Sequence, residues 1–442
     1  MPIKCYTTPM YKKVHCIGIG GIGLSALARY YMDNGAIVSG SDTTDSALLR
    51  TLRKEGMTIT IGHSEDNVPE DVECVIYSIA IDTEKNEEYI RAKVLVEKNN
   101  IQLLSYPEAL GAITKNKKTI AICGTHGKTT TTAMTYYALK EAGIHATTIV
   151  GSLIDIDGKK TNYIYGDSEY LIIEACEYKR SFLNYHPTYV VITNIDDDHL
   201  DYYKDKADIV SAFQSFADTI SDGGEVIVHH DVFTTIHSTH MTNADAVVSA
   251  QSIELSVFGM HNKENAALVI ALGKKMGIDE AKIRQGLQAF SGTWRRMEYK
   301  GKKIMNGNEV TCYDDYAHHP TEIKATLRAL KEHFPDDKTK REIHRIIALF
   351  QPHLYSRTKL LLSDFAISFD DADEVLLLPI YSSREKYDAS ITSSMLQEKI
   401  GDKAQVFDTP ESIVAYLNQY AEKGDVLITL GAGDVYDIYK YI

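Results

Sequence analysis

Val14–Tyr31 reads VHCIGIGGIGLSALARYY. An apolar run closes at Ile17, glycines follow in GxGxxG spacing, and apolar residues then recur at helical intervals, which predicts strand, turn and helix. Gly18, Gly20 and Gly23 fill the motif, with Gly21 inside it. Lacking side chains, they let the backbone turn tightly and present amides to a diphosphate at the helix N-terminus, where the peptide dipoles favour negative charge. The next apolar run, AIVSGSD, closes on Asp42, 42 minus 23 or 19 residues past Gly23, where an acid often meets a ribose hydroxyl. A nicotinamide dinucleotide and a nucleotide-sugar diphosphate suit such a turn equally. An NAD-dependent dehydrogenase therefore stays open on this stretch alone, as does a turn that only packs helix on strand.

Outward from that stretch, short apolar strands alternate with helical patterns to the end of the chain, from CVIYSIA through TIAICG and RIIALF to DVLITLGAGDVY. That rhythm predicts α/β domains with largely parallel sheets. The polar stretch ITKNKKT, Ile113–Thr119, and a restart after FSGTWRRMEYKGKK divide the 442 residues into three domains in series: 1–115, 116–294 and 295–442. The first and third are expected to be Rossmann-like, and the central one a P-loop ATPase-type parallel sheet.

The central domain opens with TIAICGTHGKTTTTAM, Thr119–Met134. Its Gly124–Gly127 spacing is shorter than the usual P-loop, but the working parts are present: loop amides, the Lys128 charge for phosphates and the Thr129 hydroxyl for magnesium. Two later apolar runs close on polar groups: EYLIIE on Glu174, and TYVVITNIDDDH on Asn194, Asp196 and His199. In a parallel sheet the carboxyl ends of strands share one edge, so these groups are expected to converge on the same phosphates. Hydride transfer needs no triphosphate, so a second phosphate loop weighs against the dehydrogenase. A nucleotide-binding sensor without catalysis remains as a further alternative.

Lys plus Arg total 47 against 61 for Asp plus Glu, a net charge of -14, which argues against broad nucleic-acid or anionic-membrane surfaces. Six cysteines without a CxxC pair suggest neither a zinc knuckle nor a disulfide framework. MPIKCYTTPMYKK lacks the apolar core of a signal peptide, and no run nears the roughly 18 apolar residues of a membrane span. A soluble cytoplasmic protein, with no nucleic-acid or membrane partner, is the expectation.

Taken in order, GIGGIG, GTHGKTTTT, EACEY, TNIDDDHLDYY, GMHNKENAA, RRME, DDYAHHPTE and QPHLYSRT resemble the Mur ligases over nearly the whole chain. The resemblance implies an ATP- and Mg2+-dependent acid–amino-acid ligase of peptidoglycan precursor synthesis, working as a monomer or homodimer. Its substrates would be UDP-N-acetylmuramate and L-alanine; a ligase that recycles murein peptide onto the same sugar is the alternative.

By this resemblance the UDP-sugar is held by Gly18, Gly20, Gly21, Gly23, Asp42 and Ser78. ATP falls to Gly124, Thr125, Gly127, Lys128, Thr129, Thr130, Asn262, Asn265, Arg296 and Asp315. Thr129, Glu174 and His199 would hold metal, and Lys128, Glu174, His199 and Arg296 would carry catalysis. Tyr316, His318, His353 and Arg357 would form the amino-acid pocket. Arg295 can equally be a solvated surface charge, and DDYAHHPTE can also be a helix start around Pro320. Ala317, Leu354 and Cys176 depart from residues common in relatives, Leu354 at a position that bears on how the substrate carboxylate is handled.

Overall fold

A computed structural model describes residues 10–99, 101–156, 159–199, 202–335, 344–383 and 385–442. Cys5, most of MPIKCYTTPMYKK and the Leu200–Asp201 pair of TNIDDDHLDYY lie outside the described residues. The chain forms two compact units, one of Met1–Ser249 with Asn265–Phe290, the other of Ala250–Glu264 with Ser291–Ile442. Three sheets carry them.

In the first unit, one sheet orders its five strands Thr58–Ile61, Ile37–Asp42, Lys13–Ile17, Cys74–Tyr77, Gln102–Ser105, all parallel. This is the dinucleotide-fold order, with its switch point between Lys13–Ile17 and Cys74–Tyr77, where a crevice opens beyond the strand ends. Gly18 and Ser78 are the residues that follow those two strands.

The second sheet of this unit runs Met241–Asn243, Glu225–Val228, Tyr189–Ile192, Lys118–Cys123, Tyr170–Glu174, Thr147–Ile156, Lys159–Ile164. All neighbours are parallel except the last pair, an antiparallel hairpin. Lys118–Cys123 thus lies between the strand ending on Glu174 and the strand leading to Asn194. The helix that follows, Lys128–Glu141, carries four threonines, Thr129 to Thr132, directly after Lys128, and threonine is a poor helix former. Thr131 and Thr132 turn their hydroxyls back on the carbonyls of Gly127 and Lys128, both at 2.9 Å. Satisfied this way, they can be buried, and the helix needs no apolar stripe.

The second unit's sheet has strand order Glu298–Met305, Asn308–Asp315, Val426–Leu430, Ile346–Phe350, Glu374–Leu377, Ala404–Val406. Only the first strand is antiparallel to its neighbour. Buried Ile, Val, Leu and Phe fill the space between this sheet and its helices, as expected where both faces of a parallel sheet are covered.

Candidate functional site

Two helices in the first unit start without a side-chain cap and with no acid in their first turn: Ile22–Asp33 after Gly21, and Lys128–Glu141 after Gly127. Helices after Ser46, Asp205, Asp279, Thr392 and Thr409 are all capped by those side chains. The glycine turns therefore leave their helix amides and positive dipole ends available to an anion.

At the first turn, Gly18 takes φ +80° and its amide donates to the Ser41 carbonyl at 2.8 Å. A Cβ there would stand 3.0 Å from the Ser78 Cβ, so the glycine lets the two strand ends approach. Gly20 donates its amide to Asp42 Oδ2 at 2.8 Å, and Thr43 N donates to Oδ1 at 2.8 Å. Asp42 thus shapes the turn itself. Gly23 makes room for the Tyr106 ring, whose atoms lie 2.7–3.1 Å from where its Cβ would be.

At the second turn, Asn194 clamps the loop: its Oδ1 accepts from His126 N at 2.9 Å and its Nδ2 donates to His126 O at 3.1 Å. Thr125 Oγ1 accepts from Asp196 N at 2.9 Å, and His126 Nε2 lies 3.2 Å from Asp196 Oδ2. The Thr129 hydroxyl lies 3.1 and 3.0 Å from the two oxygens of Glu174, which also accepts from Gly151 N at 2.8 Å. Thr130 is buried in the first turn of the helix, and the Asn265 amide fills the space that a Gly127 Cβ would claim, at 2.7 Å.

Lys128 folds back over the loop, donating to the Gly124 and Thr125 carbonyls at 2.5 and 3.0 Å. Its Nζ also lies 3.0 Å from both oxygens of Glu177. Burial disfavours the lysine charge, yet Glu177 and the other anionic groups outweigh it and hold the lysine above its ordinary value. Burial opposes the Glu177 charge too, and Lys128 and His199 overcome it. Glu177 joins this candidate site although the motif reading passed over it; the second acid of EACEY was its signal. His199, expected at a metal or phosphate position, has Nε2 3.5 Å from Glu177 Oε1, with its ring against Tyr178 at 4.8 Å between centroids. It adopts φ +55° while its carbonyl accepts from Tyr202 and Tyr203.

In the second unit, Asp315 at a strand end accepts from Met297 N and Ala317 N, both at 2.7 Å. Burial pushes its carboxyl up to about 6 despite nearby Arg296 and these amides. Arg296 Nη1 reaches Glu322 Oε1 at 3.3 Å and its guanidinium lies 5.3 Å from the Tyr316 ring centre. Asn262 donates to the Phe258 carbonyl at 2.8 Å.

The rings of Tyr316, His318 and His353 form a chain with centroid spacings of 5.2 and 5.8 Å, and His353 stacks on Tyr381. Arg357 lies on the short helix Tyr355–Leu360 that follows His353. Pro320 opens the helix Pro320–His333, capped by His319. Ala317 is fully buried, and Leu354 sits in the left-handed region at φ +72°.

Arg295 corrects the solvated reading. It is 2% exposed, bonded to Asp314 at 2.9 Å and to the Gly431 and Gly433 carbonyls, and it lies 4.3 Å from the Tyr436 ring centre. The adjacent Asp314, itself fully buried, supplies the countercharge that makes this burial tolerable. Among the described residues no helix is long and apolar enough to cross a membrane.

Family models match three segments: the Mur ligase family catalytic domain over residues 13–118, the Mur ligase middle domain over 122–250, and the Mur ligase glutamate ligase domain over 295–433. A UDP-N-acetylmuramate–L-alanine ligase of Clostridium perfringens is 40% identical, the match covering 96% of each chain. One from Clostridium kluyveri is 41% identical over 97% of each. The crystal structure of a UDP-N-acetylmuramate–alanine ligase from Thermotoga maritima superposes with a TM-score of 0.77 at 27% identity, covering 97% of each chain. A murein peptide ligase from Psychrobacter arcticus, at 23% identity and a TM-score of 0.66, shares the fold. Matched in all three segments and along nearly its whole length, the chain belongs to the Mur ligase family.

Proposed function

We propose that the chain joins L-alanine to the lactyl carboxylate of UDP-N-acetylmuramate, with ATP as the activating co-substrate. What carries this reading is the likeness to L-alanine ligases along 96% of the chain, and the P-loop array supports it. A carboxylate resists an amine because its leaving group would be oxide. ATP supplies the γ-phosphoryl group that turns it into an acyl phosphate, releasing ADP, and the alanine amine then forms the C–N bond as phosphate departs.

The chain's own residues hold and orient. The uncapped amides at the start of Lys128–Glu141 and the Lys128 charge meet the phosphates. The Thr129 hydroxyl and Glu174 form an oxygen-only pair within 3.1 Å, a donor set that fits the hard cation Mg2+, which would offset phosphate charge. His199, beside Glu177, is assigned with Thr129 and Glu174 to the metal. Gly18, Gly20, Gly21, Gly23, Asp42 and Ser78 are assigned to the UDP-sugar. Asn262, Asn265, Arg296 and Asp315 are assigned to the nucleotide, and Tyr316, His318, His353 and Arg357 to the amino acid.

The test is phosphate release with ATP, Mg2+ and UDP-N-acetylmuramate across L-alanine, glycine, L-serine and a murein tripeptide. Turnover led by L-alanine is the expected result. Release with the tripeptide alone would make the chain a recycling ligase, and no release with any acceptor would end the ligase reading.

A further inference from the structure

Asn162, on the edge hairpin of the seven-stranded sheet, is fully buried, yet its hydrogen bonds lie on a different sheet's helix. Its Nδ2 donates to the Ile22 carbonyl at 2.6 Å and to Ser25 Oγ at 2.9 Å, while Oδ1 accepts from Arg29. All three partners belong to Ile22–Asp33, the helix that springs from the first glycine turn. Ser25 Oγ in turn donates to the Ile22 carbonyl at 2.9 Å, and Arg29 is fixed from behind by Glu55 at 2.7 and 3.2 Å. An apolar side chain would serve packing alone. A buried amide with its donors and acceptor matched defines one geometry, because shifting the helix leaves polar groups buried and unpaired.

We propose that Asn162 is a positioning residue for the ligase reaction, an inference that rests on the function proposed above. It locks the diphosphate-binding end of Ile22–Asp33 to the sheet from which the loop leading to Lys128 leaves, and so sets where the sugar's carboxylate meets the γ-phosphate. The leverage is large. A helix of 12 residues is about 18 Å long, so a tilt of about 3° moves its N-terminus by about 1 Å, and a 1 Å misplacement can lower turnover by about 10²-fold.

The full chain is assayed for phosphate release with ATP, Mg2+, UDP-N-acetylmuramate and L-alanine, with thermal unfolding in parallel. Asn162→Ala is expected to lower kcat by about 10- to 100-fold per folded enzyme, with the KM for ATP within about 2-fold of wild type. Asn162→Asp keeps the acceptor for Arg29 and loses the donors, and should fall between. If Asn162→Ala yields little folded protein, Ser25→Ala removes a single hydroxyl and should still lower kcat by about 3-fold at unchanged ATP KM. A merely structural role would move the melting temperature and leave kcat per folded enzyme alone. An active wild type with unaltered variant kcat, or with kcat and ATP affinity falling together, overturns this inference alone. A wild type that releases no phosphate overturns the ligase reading and the inference with it.

Discussion

Lys128→Ala is expected to do two separable things, because the lysine holds the loop through its carbonyls and is the group assigned to the phosphates. Glu177, with its side chain 3% exposed, has the lysine Nζ 3.0 Å from both its oxygens. Stripping one partner from a buried ion pair costs about 3–5 kcal/mol. His199 Nε2, 3.5 Å away, remains as partial compensation, so the lower end, about 3 kcal/mol, is expected. Glu177→Gln should cost less, about 1–2 kcal/mol, since Lys128 keeps the Gly124 and Thr125 carbonyls. The double variant leaves neither charge stranded, so its destabilisation should fall short of the summed singles by about 1–3 kcal/mol.

Urea unfolding of the ligand-free chain, read as the shift of the transition of the first compact unit, measures that coupling. Phosphate release measures the other role: Lys128→Ala should lose at least about 10²- to 10³-fold in turnover, and Glu177→Gln added to it should cost less stability than it does in the wild type, without restoring activity. Strict additivity of the two single substitutions would show that the pair carries no stability. Wild-type turnover in Lys128→Ala would refute the phosphate role.

Gly124→Ala combines strain at φ +129° with a Cβ 2.0 Å from Thr193 Oγ1, a hydroxyl already held between the Cys123 and His126 carbonyls. Loss of ATP binding with UDP-sugar binding retained is expected, checked by titrating each ligand. Gly20→Ala puts a methyl 2.7 Å from Asp42 Oδ2 and displaces the carboxylate from the Gly20 amide. The KM for the UDP-sugar should rise about 10-fold, a loss of about 1.4 kcal/mol, at constant ATP KM; an unchanged sugar KM would remove Asp42 and this turn from the sugar site. Burial alone would raise the Glu88 carboxyl, but bonds from His15, Asn67 and Ser41 outweigh it and hold it at about 2, below its ordinary 4.5. A carboxylate depressed by folding stabilises above its unfolded value, and that share is lost as pH falls from about 4.5 toward 2. Glu88→Gln should therefore be less stable than wild type at pH 7, with the gap narrowing in acid, as urea midpoints at the two pH values will report.

The two glycine turns were legible because their chemistry is local. A strand, a glycine and a helix N-terminus are contiguous in the chain, so GIGGIG and GTHGKT announce uncapped amides without reference to anything distant. The strand-end acids were legible for a topological reason: once Lys118–Cys123 and Tyr170–Glu174 are parallel neighbours, Glu174 must come out at the edge from which the P-loop leaves. Neither argument reaches Glu177. It lies three residues past the strand end, in a segment where Lys179 and Arg180 take φ of 52° and 56°, and irregular backbone has no period from which a direction can be read.

Arg295 and Asn162 were hidden for a related reason. Each is a polar residue whose burial depends wholly on partners far along the chain: Asp314, Gly431 and Gly433 for the arginine, Ile22, Ser25 and Arg29 for the asparagine. Composition rules place arginine and asparagine at the surface because burying them unpaired is costly, and one sequence gives no sign that the pairs exist. The same cost makes these residues informative once the fold is known. A buried polar side chain persists only where its partners stay in register, so each marks a contact whose geometry the protein cannot relax without leaving a group unsatisfied. Arg295 holds the backbone beside Arg296 and Asp315 in this way, and Asn162 holds the helix that begins at the first glycine turn. In both cases the rigid contact lies one step back from the residues assigned to substrates, where alignment can be fixed without occupying space that a ligand needs.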